Sequence, residues 1–309
     1  VNEVTQFKDF EAMPVHCFES MHRAFLKVQD GCNQFCSYCA IPFARGRERS
    51  LNHEQVIQIA KDLCDKGHTE IVLTGIHTGR YDDGEYDLAK LMKALLENTP
   101  DSVYYRISSI EITEVSDALI ALMKENPRMC HHLHIPVQSA CNETLRRMNR
   151  PYTIEEFKEK INYIRSCIPD ISISTDVIAG FVQESDEEFE TTYENLADLE
   201  LSFFHVFPYS KRNGTKASTL KGEINGKVAK ARVARLLELS NACRERDMKR
   251  FNPVQVLIER KQDGYYTGYT NQYHPCKILS DTPLSGRITI EWDRIEDGTY
   301  YGKKDVVCD

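Results

Sequence analysis

The chain has 309 residues, of which 41% are hydrophobic and 28% charged, with a formal charge of −8; that balance suits a folded protein with room for one large domain and one small one. No stretch approaches the roughly 18 uncharged apolar residues of a membrane helix, and the opening residues carry acids and no apolar core, so neither a span nor a signal peptide is expected and the predicted location is cytoplasmic. The acidic balance excludes nucleic-acid binding by bulk charge alone, although local basic patches can still meet phosphates.

In chain order, residues 24–29 read as a strand and 53–66 as an amphipathic helix capped by Asn52. Strand 70–73 runs into Thr74-Gly75 and is followed by helix 87–98, strand 104–107, helix 113–125 and strand 132–135. Thr153 and Glu156 have capping-box spacing and open a helix to about residue 167; strand 172–178, helix 186–200 and strand 203–207 follow. These six βα steps predict an α/β fold with a parallel sheet flanked by helices, and six strands suit a partial (β/α)6 barrel rather than a closed eight-stranded one. Residues 211–225 read as a loop and 227–249 as a long helix that Pro253 ends. Beyond it, short strands at 254–259, 265–270, 277–279 and 288–292 are separated by Asp-Gly, Pro and Ser-Gly turns, which predicts a small antiparallel β-barrel. The expected division is a lead-in over 1–22, a core domain over 23–248 and a small domain over 249–309.

Eleven cysteines without an export signal do not predict a disulfide framework. Cys64, Cys130, Cys167, Cys243 and Cys308 lie in or beside apolar runs, where a free thiol serves as a small hydrophobe. Cys32, Cys36 and Cys39 stand apart, in a C-x3-C-x2-C loop that follows the first strand. Three thiolates suit a [4Fe–4S] cluster with one iron left free of protein ligands. S-adenosylmethionine offers that iron an amino and a carboxylate group. Zinc is the rival, but a structural zinc site takes four protein ligands, and the nearest later cysteine, Cys64, falls inside a helix.

The motif, with Tyr38 before its last cysteine, resembles the radical S-adenosylmethionine superfamily. The flanking Ala40-Ile-Pro-Phe-Ala-Arg-Gly-Arg-Glu-Arg-Ser50 is similar to the methylthiotransferases, as are Thr74-Gly-Ile-His77, Arg106-Ile-Ser-Ser-Ile-Glu111, His134-Ile-Pro-Val-Gln-Ser139, Met148-Asn-Arg150 and Phe207-Pro-Tyr-Ser-Lys-Arg212. The terminal barrel resembles a TRAM substrate-binding domain. Within the family, these stretches look most like the tRNA threonylcarbamoyladenosine methylthiotransferases. The resemblance implies an enzyme that uses a [4Fe–4S] cluster, S-adenosylmethionine and a reducing electron donor to place a methylthio group on C2 of the modified adenosine beside the anticodon. It implies Cys32, Cys36 and Cys39 as cluster ligands, acting catalytically through the cluster. Tyr38 would border the adenine, Gly75 would admit the methionine amino group, and Ser109 and Gln138 would hydrogen-bond ribose or methionine. Arg150 would clamp the methionine carboxylate, and Asp176 would sit at the barrel mouth. Ser109, Gln138 and Asp176 have an equally simple reading, as residues that satisfy backbone groups at strand ends.

Arg45 and Arg47 after the cysteine loop, with Arg49, and Lys211 and Arg212 after the sixth strand, with Lys216, are the candidate tRNA contacts. Alternate arginines around Glu48 also suit structural salt bridges. The terminal barrel has 7 basic and 9 acidic residues, a poor footprint for RNA, and its aromatics either stack on bases or fill the barrel. A methylthiotransferase acting on a ribosomal protein side chain therefore stays open, as does a non-catalytic zinc or RNA-binding protein.

Family members carry three further cysteines for a second [4Fe–4S] cluster ahead of the core, and here Cys17 alone precedes the triplet. The chain is therefore expected to resemble a fragment that cleaves S-adenosylmethionine without transferring sulfur, the second cluster belonging to a full-length form. Where the family has Gly-Phe-Pro-Gly-Glu, this chain has Gly180-Phe-Val-Gln-Glu184, and Ala140-Cys141 stand where a glycine is usual. If that missing glycine served a positive φ, Gln183 carries strain.

Overall fold

The computed structural model describes residues 22–304, so Cys17, Cys308 and all of the lead-in but His22 lie outside the described residues. Strands β1 (Arg23–Lys27), β2 (Glu70–Thr74) and β3 (Tyr104–Ile107) are parallel neighbours in that order, and β4 (His132–His134), β5 (Ser172–Ala179) and β6 (Phe203–Pro208) form a second parallel trio. Residues 128–130 join the trios: the Tyr105 N–H donates to Arg128 O and the Cys130 N–H to Tyr105 O, each at 2.8 Å. The result is one six-stranded arc with β1 and β6 as free edges, the expected partial barrel.

Alternation along each strand decides what faces where. Ala24, Leu26, Ile71, Leu73, Tyr105 and Ile107 are buried in one continuous core with Val56, Ala60 and Leu63 of α2 (His53–Asp65) and Leu91 and Leu95 of α3 (Leu88–Asn98). The opposite face is polar, with Arg23, Glu70, Arg106, His132 and Ser174 buried along it. Helices start where capping residues place them: Asn52 on α2, Asp87 on α3, Ser116 on α4 (Asp117–Glu125), and full capping boxes on α6 (Ile154–Cys167) and α7 (Asp186–Asp198). Two short helices escape the sequence periodicity, α1 (Ile41–Arg45) and α5 (Asn142–Arg147). Each is too short to show an amphipathic repeat. The predicted helix over 113–125 instead divides at Ser116, after a 3₁₀ turn over Ile112–Glu114. The long helix α8 (Gly226–Met248) packs on β6.

The terminal domain has β7 (Val254–Gln262), β8 (Tyr265–Thr270), β9 (Pro275–Leu279), β10 (Arg287–Ile290), β11 (Trp292–Glu296) and β12 (Thr299–Lys303), in the order β10-β7-β8-β9-β12-β11. It is not wholly antiparallel, because β9 and β12 run parallel. After β9 the chain crosses to pair β10 with β7, then bends at Glu291 so that β11 pairs with β12. Both ends of the ladder thus belong to one bent run, and the sheet curls around Val256, Ile258, Ile278, Ile290 and Tyr300. This domain docks on the N-terminal ends of the core strands, where the fully buried Glu70 receives Arg23 at 2.8 Å, Arg106 at 3.0 Å and Arg287 of β10 at 2.7 Å. The C-terminal end of the barrel stays open. No helix among the described residues is long and apolar enough to cross a membrane.

Candidate active site at the open end of the barrel

Gln29–Asp30 and Arg49–Ser50 pair as a two-residue antiparallel ribbon, which ties off the cysteine loop at its base. Gly31 lies at φ +74°, and a Cβ there would stand 2.0 Å from Arg47 O, so only glycine lets the two sides of the loop approach. Asp30 gathers Lys27 and Arg49 at 2.8 Å each, and accepts from the Gly31 N–H at 2.9 Å. Across the loop, the Ser37 N–H donates to Met148 O at 2.9 Å and its hydroxyl to Arg147 O at 2.7 Å. Cys32, Cys36 and Cys39 are all half-buried and line one cavity of about 370 Å³, together with Tyr38, Ser109, Gln138, Arg150 and Asp176.

Most residues expected at the cofactor site therefore meet at one cavity. Tyr38 stands edge-on to Phe181, with ring centroids 6.4 Å apart. Gln138 adopts φ +68° and bridges to Val177 of β5. Arg150 is already committed: its guanidinium pairs with Glu111, donates to Tyr152 Oη and Pro136 O at 2.8 and 3.1 Å, and reaches Cys36 Sγ at 3.5 Å. A carboxylate clamp by Arg150 would have to displace Glu111. Gly75 does not line the cavity, and a Cβ there would sit 2.9 Å from Gln29 Cβ. Its bareness is explained by Gln29, whose Oε1 accepts from the His77 N–H at 2.7 Å.

Besides His134, two titratable cavity residues, His77 and Glu111, carried no role in the sequence although both sit inside quoted motifs. His77 Nδ1 is 3.7 Å from Cys32 Sγ and its Nε2 is 2.8 Å from Glu114. Burial works against a charge on His77, but the Cys32 and Glu114 contacts prevail and raise its pKa to about 10. Their signal in the sequence was position: each follows the end of a core strand by only a few residues.

The basic residues divide. Arg49 is structural, bound to Asp30 and to the carbonyls of Arg45 and Arg47. Arg45 is exposed at 4.0 Å from Asp30, and Arg47 lies over the exposed Phe35 ring at 5.2 Å. Lys211 pairs with Glu223 at 2.7 Å on the surface, and Arg212 is exposed. Their loop reaches the cysteines, because the Ala217 N–H donates to Ser37 O at 2.7 Å. Gln183 does take φ +65°; its N–H donates to Gly222 O at 2.9 Å and its amide to Lys221 O at 2.8 Å. Neither Gln183 nor Ala140-Cys141 lines the cavity. In the terminal barrel, Tyr300 and Tyr266 belong to the core and Trp292 packs against it, so three of the seven Tyr and Trp rings there fill the barrel.

The cysteines suit a group larger than one ion. Donor sets converging within 4.8 Å among the described residues are Cys32–Glu48–His77 and His134–Asp176–His205, and the three cysteines together are not such a set. Burial pushes the Cys39 thiol up, and charge on Cys36 and Cys32 pushes it further. A Cys39 thiolate therefore needs a cationic group to hold it ionised, which is what a bound iron–sulfur cluster would supply.

Comparison with known proteins gives a consistent picture. Residues 26–196 match the radical SAM superfamily. The chain is 37% identical over 297 residues to "Threonylcarbamoyladenosine tRNA methylthiotransferase MtaB" of Bacillus subtilis, covering 93% of this chain and 66% of the relative. It is 36% identical over 262 residues to "tRNA-2-methylthio-N(6)-dimethylallyladenosine synthase" of Thermodesulfovibrio yellowstonii, covering 84% of this chain and 61% of the relative. Among solved structures, the radical S-adenosylmethionine methyltransferase TsrM of Kitasatospora setae superposes with a TM-score of 0.56 at 13% identity, over 71% of this chain and 43% of that one. The chain thus spans about two thirds of the length of the curated relatives it matches.

Proposed function

Because the chain belongs to the radical SAM superfamily, we propose that its open barrel end cleaves S-adenosylmethionine reductively in the service of tRNA methylthiolation, with threonylcarbamoyladenosine as the target nucleoside. The observation that carries this reading is the convergence of Cys32, Cys36 and Cys39 with Ser109, Gln138 and Asp176 on one cavity. When bound, the cluster and S-adenosylmethionine would supply reductive hydrogen-abstraction chemistry directed at C2 of the adenine. The protein's share is positional. Cys32, Cys36 and Cys39 hold the cluster, and Arg150 keeps Cys36 in place. Tyr38 offers a ring to the adenine, and Ser109 and Gln138 offer hydrogen bonds to the ribose or methionine. The tRNA assignment is supported by the relatives, several of which are named for methylthiolation of tRNA. Arg45, Arg47, Lys211 and Arg212 stand at the same end of the barrel and would meet phosphates. We assign 23–248 as the core and 249–309 as an RNA-holding module, in a cytoplasmic protein. One three-cysteine group is present among the described residues, so cofactor cleavage is the step assigned to them; sulfur transfer and the second cluster are proposed for the longer form.

Anaerobic reconstitution tests the reading. About four irons per chain, a brown chromophore and dithionite-dependent release of 5′-deoxyadenosine are expected, all lost on Cys36→Ala. The rival is a single ion at Cys32–Glu48–His77. Colourless protein with one bound zinc, unaffected by Cys36→Ala, would replace catalysis with a structural metal.

A further inference from the structure

The inner face of the second strand trio carries polar side chains to which the cofactor reading gives no role beyond the place of Asp176 on the cavity wall. Register places His134 of β4 beside Ser174 of β5, and Asp176 of β5 beside His205 of β6. His134 Nδ1 is 2.9 Å from Ser174 Oγ and its Nε2 is 3.2 Å from Asp176, so both ring nitrogens are engaged and the carboxylate is oriented. The His205 ring lies 5.5 Å from that of His134. One step back along β6, the Phe203 ring has His205 against it at 5.2 Å and the Arg244 guanidinium of α8 over it at 4.5 Å. His134 and Asp176 line the active-site cavity.

Arg244 is the anomaly. Arg23, Arg106 and Arg287 all pair with Glu70, and Arg23 pairs with Glu259 as well. Among the described residues, the side chains of Arg244 and His205 make neither a hydrogen bond nor an ion pair. Arg244 is half-buried, and burial disfavours its charge with no acid at hand. A half-buried guanidinium and an exposed imidazole that both rest on the Phe203 ring, at the edge strand of the barrel, are prepared for an anion that the chain does not itself supply.

The relatives divide over the substituent on the adenine N6: some are named for threonylcarbamoyladenosine and others for dimethylallyladenosine. The first group carries a carboxylate, a hydroxyl and amide N–H groups; the second is a hydrocarbon. In an adenine whose C2 faces the cysteines, the N6 group leaves the ring on a different side and needs a pocket of its own. Resting on the tRNA reading above, we propose that Arg244 and His205, backed by the His134–Asp176 pair, form the pocket that recognises an anionic N6 substituent. The guanidinium takes the carboxylate, His205 donates to the same group, and Asp176 accepts an amide N–H. A dimethylallyl tail would cover the half-buried Arg244 and the exposed His205 without pairing either, which is how a polar pocket rejects an apolar analogue.

The test is fluorescence anisotropy of the 309-residue chain in a chelator-containing buffer, with anticodon stem-loop RNAs carrying threonylcarbamoyladenosine, dimethylallyladenosine or adenosine at the target position. The wild type is expected to favour the threonylcarbamoyl RNA over both others by about tenfold or more. Arg244→Met and His205→Phe should each collapse that ratio, and Arg244→Lys should restore much of it by returning the charge. Variants that keep the wild-type ratio overturn the pocket and leave the tRNA reading intact. Equal wild-type affinity for the two modified RNAs does the same. A wild type that cleaves S-adenosylmethionine but binds none of the RNAs removes the tRNA reading and the pocket with it.

Discussion

Gly31 shows how much one residue governs in this loop. Its φ of +74° and the 2.0 Å approach of Arg47 O to any added Cβ mean that Gly31→Ala must open the ribbon between Asp30 and Arg49. The expected cost is about 1–3 kcal/mol of stability, read from the urea midpoint. Iron bound after reconstitution should fall as well, since the ribbon sets where Cys32 begins. Full iron loading with an unchanged midpoint would mean that the loop is held elsewhere. Gln183, by contrast, accepts a positive φ and is compensated by two hydrogen bonds to residues 221–222. Position alone distinguishes them: the first strain would fall on the cysteine loop, and the second falls outside the cavity.

Among the elements, β4 is short but chemically dense, with buried His132 and half-buried His134 on the same face. Burial, then the charge of Arg106, holds the His132 pKa well below the ordinary histidine range. The folded state therefore keeps His132 neutral, while the unfolded chain takes up a proton below about pH 6.5. Stability from this group is present above that pH and declines as pH falls, by up to about 1.4 kcal/mol per pH unit. Urea midpoints measured from about pH 7.5 to 5.5 should show the decline in the wild type and a shallower one in His132→Asn. Parallel slopes in the two proteins would assign the acid sensitivity to other groups. Elements with long periodic patterns, such as α2 and α3, were readable from spacing and caps. Helices α1 and α5, of five and six residues, were not, because their positions depend on the loops that frame the cavity.

For the whole molecule, the decisive contact is Glu70 in its nest of Arg23, Arg106 and Arg287, which ties the base of the barrel to the terminal domain. Although burial opposes its charge, the three guanidiniums keep the Glu70 carboxyl well below the usual carboxylate range. Its stabilisation is therefore complete above the unfolded carboxylate pKa and is lost only as pH falls through the depressed value. Glu70→Gln leaves Arg106 and Arg287 without an acid, and Arg23 with Glu259 alone, and should cost about 3–5 kcal/mol, seen as a lowered melting temperature and earlier proteolysis between the domains. An unaltered melt would show that the remaining contacts between the domains suffice. By itself the sequence determined the order of βα steps, the break near residue 250 and the cysteine loop, because hydrophobic period, capping residues and short-range spacing are local properties. It took the three-dimensional fold to settle that Arg150 is spent on Glu111, that Gly75 answers to Gln29, that β9 and β12 run parallel, and that Arg244 and His205 rest on Phe203 without an ion pair. Each of these joins residues distant in the chain, and whether a charge is satisfied depends on what the fold places next to it.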